Sequence, residues 1–466
     1  MAEARPAGAH THVWLRDARA ILGLAWPVFV GQLAVLGFST VDTVLAGRVG
    51  PIDLAALAIG SAAYITVFVA LMGVMLALGP LAGRLQGAGR LRRAGAQFHQ
   101  AVWLSLGLSL PGVALLLWPE PFLALAHAEA DVADRVQAYL RVLAWAVPAG
   151  LGFTAYRAFN TAVSRPKAVM ALQLGGFALK VPLSIVLVFG WGPLPAMGVV
   201  GCAWATVIVN WLEAVLGWAL LQIDPFYQPY HLPRWRLQSL HRQALGQQLR
   251  LGLPIAASML IEVTGFTFMA IFIARLGTLP VAGHQIAANL TGLLFMMPLA
   301  LANASSTLVA QAIGARRLAD ARRLGWHGVE LSVLIAVLAG GLVFLLRPWL
   351  VRGYTGDAAV VALALPLVAW AALCHVADAA QTVAAFALRA WHVTTLPMVV
   401  YAAALWGIGL SGGYTLAFLA PADWPAAVRG ANGFWVAATG GLTLAALALA
   451  ALLRRVGRQT DINPPT

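Results

Sequence analysis

About a dozen apolar runs, each long enough to cross a lipid bilayer, divide this chain and confine its charges to the breaks between them. The runs lie near 20–47, 52–79, 95–118, 132–157, 168–189 and 197–221, and after a polar stretch near 250–275, 280–310, 321–346, 358–388, 393–419 and 427–453. A helix needs about 20 apolar residues to span the hydrocarbon. Only 10% of the 466 residues are charged and 61% are hydrophobic, with mean hydropathy +0.81. Soluble domains carry about 25% charged residues, so water is not the solvent for most of this chain. The runs are continuous rather than alternating, which disfavours a membrane β-barrel. The expected fold class is an all-α integral membrane protein of 12 transmembrane helices.

The basic residues orient these helices. The formal charge of +13 does not indicate nucleic acid, because 28 of the 30 basic residues are arginines scattered between apolar runs. With the N-terminus inside, 21 fall on cytoplasmic segments and six outside, while Arg141, Arg157 and Lys180 lie within helices. The positive-inside rule then puts both termini in the cytoplasm. Cys202 and Cys374 fall inside apolar runs without paired spacing and read as buried free thiols. Residues 1–15 lack the core of a signal peptide, so the first helix is expected to be retained.

A shift of 227 residues aligns the two halves without a gap over their first two helices. Pro27 falls on Pro254, Arg48 on Arg275, Gly50 on Gly277, Gly87 on Gly314 and Arg90 on Arg317. Six helices per half makes the repeats parallel, related by an axis along the membrane normal, with a central cleft where they meet. The expected organisation is a tail (1–17), a six-helix bundle (18–221), a cytoplasmic linker (222–248) holding His231, Arg234, Trp235, Arg236 and His241, a second bundle (249–455) and a tail (456–466). Pro27 and Pro254 are expected to kink the first helix of each half.

Acids within the runs are the candidate functional groups, because an ionisable side chain near the bilayer centre costs at least about 2.5–3.5 kcal/mol and usually faces a cavity or a partner. Glu262 lies 12 residues beyond Arg250 and Asp378 lies 11 before Arg389, so both stand roughly 17–18 Å above the cytoplasmic boundary. Two carboxylates at one depth in one bundle can bind a sodium ion, making them the metal ligands of a sodium-coupled protein, or share a proton. His375, one turn before Asp378, is a candidate relay. Asp42 lies nearer the outer face, and Lys180 is expected to pair with it. Glu213 and Glu330 read as structural. Phe266, Phe268, Phe295 and Met296 are candidates to line an apolar cleft.

Four stretches resemble the multidrug and toxic compound extrusion (MATE) family, in its NorM-like bacterial branch. They are Val41-Asp-Thr-Val-Leu-Ala-Gly47, Ile261-Glu-Val-Thr264, Ala282-Gly-His-Gln-Ile286 and Ala377-Asp-Ala-Ala-Gln-Thr-Val-Ala-Ala385. The resemblance implies two six-helix bundles forming a V-shaped central cleft, and export of amphipathic, often cationic organic compounds driven by Na+ or H+. It would make Glu262 and Asp378 the C-terminal cation site and Asp42 an N-terminal coupling acid. His284 and Gln285 match a family pattern, and Gln285 joins the cleft candidates. The chain departs from the family in carrying Lys180 and Ser184 where relatives usually show asparagines, and Cys374 where a tyrosine can stand.

A flippase or exporter of lipid-linked or polysaccharide precursors is the alternative, and would be expected to line its cleft with more cationic residues. No Walker loop, zinc-binding His-Glu-x-x-His or aspartate cluster for magnesium is present, so an enzyme is not expected. No cofactor is expected beyond the coupling ion. The expected partners are small organic substrates and the bilayer, the expected state is monomeric, and the family branch with the Arg-over-Lys bias points to a bacterial inner membrane.

Overall fold

The computed structural model describes residues 7–126, 129–232, 237–421 and 423–459, and every regular element among them is helical. Arg5, Arg234, Trp235, Arg236 and the end of the chain from 460 lie outside the described residues. The long helices are α1 (Ala7–Val49), α2 (Pro51–Gly87), α3 (Leu91–Leu117), α4 (Ala130–Leu143 continued by Ala146–Ala162), α5 (Pro166–Phe189) and α6 (Val199–Ile223). They continue with α7 (Arg242–Ala274), α8 (Thr278–Gly314), α9 (Leu318–Tyr354), α10 (Ala358–Ala390), α11 (Thr395–Leu419) and α12 (Ala431–Gln459). Eleven pass as membrane spans by length and hydropathy, and the two pieces of α4 make a twelfth.

The duplication is visible in backbone geometry. Gly89 takes φ +69° after α2, and Arg316 takes φ +59° at the matching place after α8. Each is followed by a six-residue closing bond, Arg90 N–H to the Leu85 carbonyl and Arg317 N–H to that of Ala312, both 2.9 Å. Ser164 (φ 62°) and His392 (φ 59°) repeat the device after α4 and α10, with bonds from Arg165 to Asn160 and from Val393 to Leu388. This is the left-handed helix stop that glycine favours. Only one of its four occurrences uses glycine, so composition alone conceals the repeat.

A sharp bend also stands apart from the expected prolines. α1 and α7 run unbroken through Pro27 and Pro254. α4 instead bends by 46° at its break. Pro148, third in the second piece, supplies no N–H to the Ala144 carbonyl and its ring crowds that carbonyl.

The described chain divides into two compact units, Pro27–Ala256 and a second made of the residues up to Trp26 with those from Ala257 on. These bounds differ from the expected bundles (18–221 and 249–455) at the start of each repeat, where the helical segment up to the proline packs within the other unit. In the N-terminal unit, the start of α7 is held against α2 and α3. Gln248 donates to the Gln97 carbonyl (3.0 Å), and a Cβ on Gly252 would lie 2.5 Å from the Val74 oxygen. In the C-terminal unit, the Asp17 carboxylate of α1 accepts from Arg323 Nε (2.8 Å) and meets His327 Nδ1 (2.9 Å), while Trp14 Nε1 donates to Glu330 (3.1 Å). Helices in lipid gain little from apolar contact alone, so such close approaches and polar links carry the packing.

The expected linker 222–248 is largely structured. A 3-10 helix, Pro225–Tyr230, buries Tyr227 and Tyr230 in the N-terminal unit, and α7 begins at Arg242. Gln100 and Trp103 hold the backbone at Ser239, His241 and Gln238. Asp224 caps the 3-10 helix through Phe226 N–H (2.9 Å) and pairs with Arg165, and these two contacts, in that order, hold its carboxyl below the usual carboxylate range. The expected tail 1–17 likewise already contains the start of α1.

Buried charges as the candidate functional site

Lys180 of α5 has no solvent exposure, and its ammonium meets Asp42 Oδ2 of α1 at 2.9 Å and Thr206 Oγ1 of α6 at 2.6 Å. Its remaining side faces the Phe38 ring, 5.5 Å from the centroid. Thr206 passes its own hydrogen to the Cys202 carbonyl (2.9 Å), while Asp42 Oδ1 is left with only the weak Cys202 thiol beside it. The arrangement follows from local geometry: Cys202 and Thr206 are four residues apart and share one face of α6. The ammonium is thus fully desolvated but matched by a carboxylate and a hydroxyl, as a buried charge must be.

A second opposite pair lies in the same unit. Arg157 of α4 and Glu213 of α6 are within electrostatic reach, and Arg157 also donates to the Met72 sulfur (3.5 Å). Gly176 makes room for the acid, since a Cβ there would lie 2.2 Å from Glu213 Oε1. Lys180 and Arg157 therefore each have an acid, while Arg141, the third cation read within a helix of this unit, is exposed.

The C-terminal unit is not balanced. Glu262 of α7 and Asp378 of α10 lie within electrostatic reach of one another. Asp378 Oδ1 accepts from Gln381 Nε2 (2.8 Å), which also reaches Thr382 Oγ1 (3.2 Å). Gln381 and Thr382 are three and four residues beyond Asp378, so helical periodicity gathers all three on one face. Tyr401 of α11 lies within reach of both carboxylates and of Gln381, and Arg389 of α10 is within reach of Glu262 and Tyr401. Arg389, read from sequence as a cytoplasmic marker, is in fact buried. Two acids thus share this interior with one guanidinium.

The remaining candidates are less closely gathered. His375 is buried, but its Nδ1 has no partner and no hydrogen bond joins it to Asp378 among the described residues. Phe266 lines a small pocket with Gly265, Met269, Leu405, Gly409, Leu410 and Ala438. Phe268 is exposed against Trp406 (centroids 6.1 Å apart), Gln285 is exposed, and Phe295 and Met296 are half-buried. His284 is buried beside Trp435, 5.8 Å between rings. Cys202 and Cys374 are free and buried. No cluster of three or more His, Cys, Asp or Glu suited to a metal forms among the described residues.

Sequence reasoning missed Gln381, Thr382, Thr206 and the inward place of Arg389. All but Thr206 carry a legible signal, since offsets of +3, +4 and +11 from Asp378 fall on its face of α10. Tyr401 arrives from another helix and has no such signal.

The MatE family model matches residues 27–186 and 254–415, two blocks that begin 227 residues apart, at the same shift as the internal duplication. The chain belongs to the MATE family. Among its relatives, the probable multidrug resistance protein NorM of Aromatoleum aromaticum is 42% identical over 436 residues, covering 93% of each chain. The multidrug resistance protein PmpM of Pseudomonas aeruginosa is 34% identical over 447 residues, covering 95% of this chain and 92% of PmpM. An outward-facing multidrug resistance MATE transporter superposes with a TM-score of 0.86 at 18% identity, over 96% of this chain and 97% of that one. The Vibrio cholerae MATE transporter VcmN in its bent form gives 0.83 at 18% identity, over 96% and 99%. At such identities the solved structures speak for the MATE fold alone.

Proposed function

We propose that this MATE-family protein is a secondary antiporter. It exports amphipathic, often cationic organic compounds across a bacterial inner membrane, with both termini cytoplasmic, in exchange for Na+ or H+ taken up by Glu262 and Asp378. The observation that carries this reading is a pair of carboxylates from α7 and α10 within electrostatic reach of each other in one unit, Asp378 buried and Glu262 half-buried. An uncompensated charge at such depth costs at least about 2.5–3.5 kcal/mol, so a monovalent cation or a proton stabilises the occupied state by a similar amount. Coupling then requires only that the conformations presenting the site to the two sides differ in cation affinity.

Asp42 plays a different part. Lys180 already neutralises it, so it presents no charge deficit for an inorganic ion, and its link to coupling runs through the ion pair. Export of lipid-linked precursors is not favoured, because the buried cations Lys180 and Arg157 face acids rather than an open lining. Expression in a drug-sensitive bacterial host, with efflux followed under separately imposed Na+ and H+ gradients, tests the proposal. Gradient-driven efflux that fails in both Glu262→Gln and Asp378→Asn supports it, and efflux that survives in either variant contradicts the site.

A further inference from the structure

Among the described residues, only α11 contains π-helix. Ala402–Leu410 and Thr415–Leu419 bond in that wider register, with Ser411–Tyr414 α-helical between them. Such turns are rare and gather at functional sites. The buried residues Tyr401, Leu405, Gly409 and Gly413 recur here at every fourth position. A pure α-helix would swing each about 40° further round than the last, about 120° over the run, whereas wider turns hold them on one side.

This register sets Trp406 against α7. Its Nε1 donates to the Ile261 carbonyl at 3.2 Å, and its ring meets Phe268 edge-on, centroids 6.1 Å apart. The Ile261 carbonyl belongs to the planar peptide unit that carries the Glu262 nitrogen, so the bond clamps the backbone at Glu262 itself. The indole lies over Gly265, one turn on, with Nε1 3.8 Å from where a Cβ would stand. Glu262 lies four and seven residues before Phe266 and Met269, so it shares the stripe of α7 on which Leu405, Gly409 and Leu410 close a small pocket.

Resting on the carboxylate site proposed above, we propose that Trp406 is a positioning residue for Glu262. It acts through the Ile261–Glu262 peptide, fixing the depth and rotation at which α7 offers its carboxylate toward α10. Loss of the bond lets that carboxylate sample other poses, which weakens cation binding without changing how many cations bind.

The test removes the N–H alone. Trp406→benzothienylalanine, introduced by stop-codon suppression, puts sulfur in place of the ring N–H and keeps the ring's shape. Radioactive Na+ binding and proton uptake are measured separately on the full-length purified protein. The half-saturating cation concentration should rise about threefold to tenfold, the worth of one hydrogen bond, with the bound cations at saturation unchanged. Trp406→Phe gives up the same N–H and should shift binding in the same direction, so the test stands even where the suppressed chain accumulates poorly. Trp211 supplies the control, since it makes the equivalent bond to the Trp145 carbonyl (3.0 Å) in the N-terminal unit and is as exposed as Trp406. Trp211→benzothienylalanine should bind cation as the parent does.

A weakening confined to the Trp406 variants supports the assignment. Parent-like binding in either Trp406 variant, or an equal loss in the Trp211 variant, overturns it. The carboxylate site itself fails in a different way, if Glu262→Gln and Asp378→Asn bind cation and drive efflux as the parent does.

Discussion

Replacing Lys180 with methionine tests the buried pair of the N-terminal unit. Methionine keeps the side-chain length and apolar stem but leaves Asp42, formerly 2.9 Å from the ammonium, facing only Cys202. Breaking a buried ion pair on one side costs about 3–5 kcal/mol, because the remaining charge is left uncompensated. Lys180 is fully buried and Asp42 nearly so, which places this pair in that range rather than the 0–1 kcal/mol of surface bridges. In a block of about 230 residues, Pro27–Ala256, 1 kcal/mol moves the melting temperature by about 2–4 °C, so Lys180→Met should lower it by about 6–20 °C. Thermal unfolding in detergent reads this directly. Lys180→Met/Asp42→Asn, which removes both charges, should recover more than half of the loss. A single variant that melts with the parent, or a double variant no better than the single, would refute the reasoning.

Other perturbations have definite expectations. A Gly252→Ala methyl meets the Val74 backbone and should destabilise the protein by about 1–3 kcal/mol, read as a lower melting temperature. Asp17→Asn removes the shared partner of Arg323 and His327 and should cost about 1.5–3 kcal/mol, since hydrogen bonds to charged groups lie in that range. The Asp224 carboxyl is held low, so its stabilisation is full above its unfolded value near 3.9 and fades as pH falls from there through its lower folded value. With both partners about a third exposed, the effect is under about 1 kcal/mol. Melting curves from pH 7 to pH 3 should show that increment, and Asp224→Asn should lack it.

Apolar length and the distribution of arginine made the helices legible, because lipid imposes both. The span near 393–419 matches α11 closely, and that near 358–388 matches α10. Boundaries failed where packing rather than hydropathy decides. Tyr227 and Tyr230 read as linker, yet their rings fill the N-terminal unit. Pro27 and Pro254 stand inside helices that run on unbroken, while Pro148, at the bend of α4, passed unnoticed inside an apolar run. Within the site, the acids stood out because charge in lipid is rare. Arg389 was misread because an arginine at a helix end carries the same sequence signal whether it turns outward to headgroups or lies buried over Phe386.

The central claim is that cation and organic substrate exchange through the Glu262–Asp378 pair, and ion displacement tests it most directly. Purified protein is loaded with radioactive Na+, or poised in weak buffer with a pH indicator, and an organic cation that it exports is added. The parent should release one Na+ or one proton per substrate bound, and Glu262→Gln/Asp378→Asn should release neither. Equal release from the parent and the double variant would place the exchange elsewhere in the molecule.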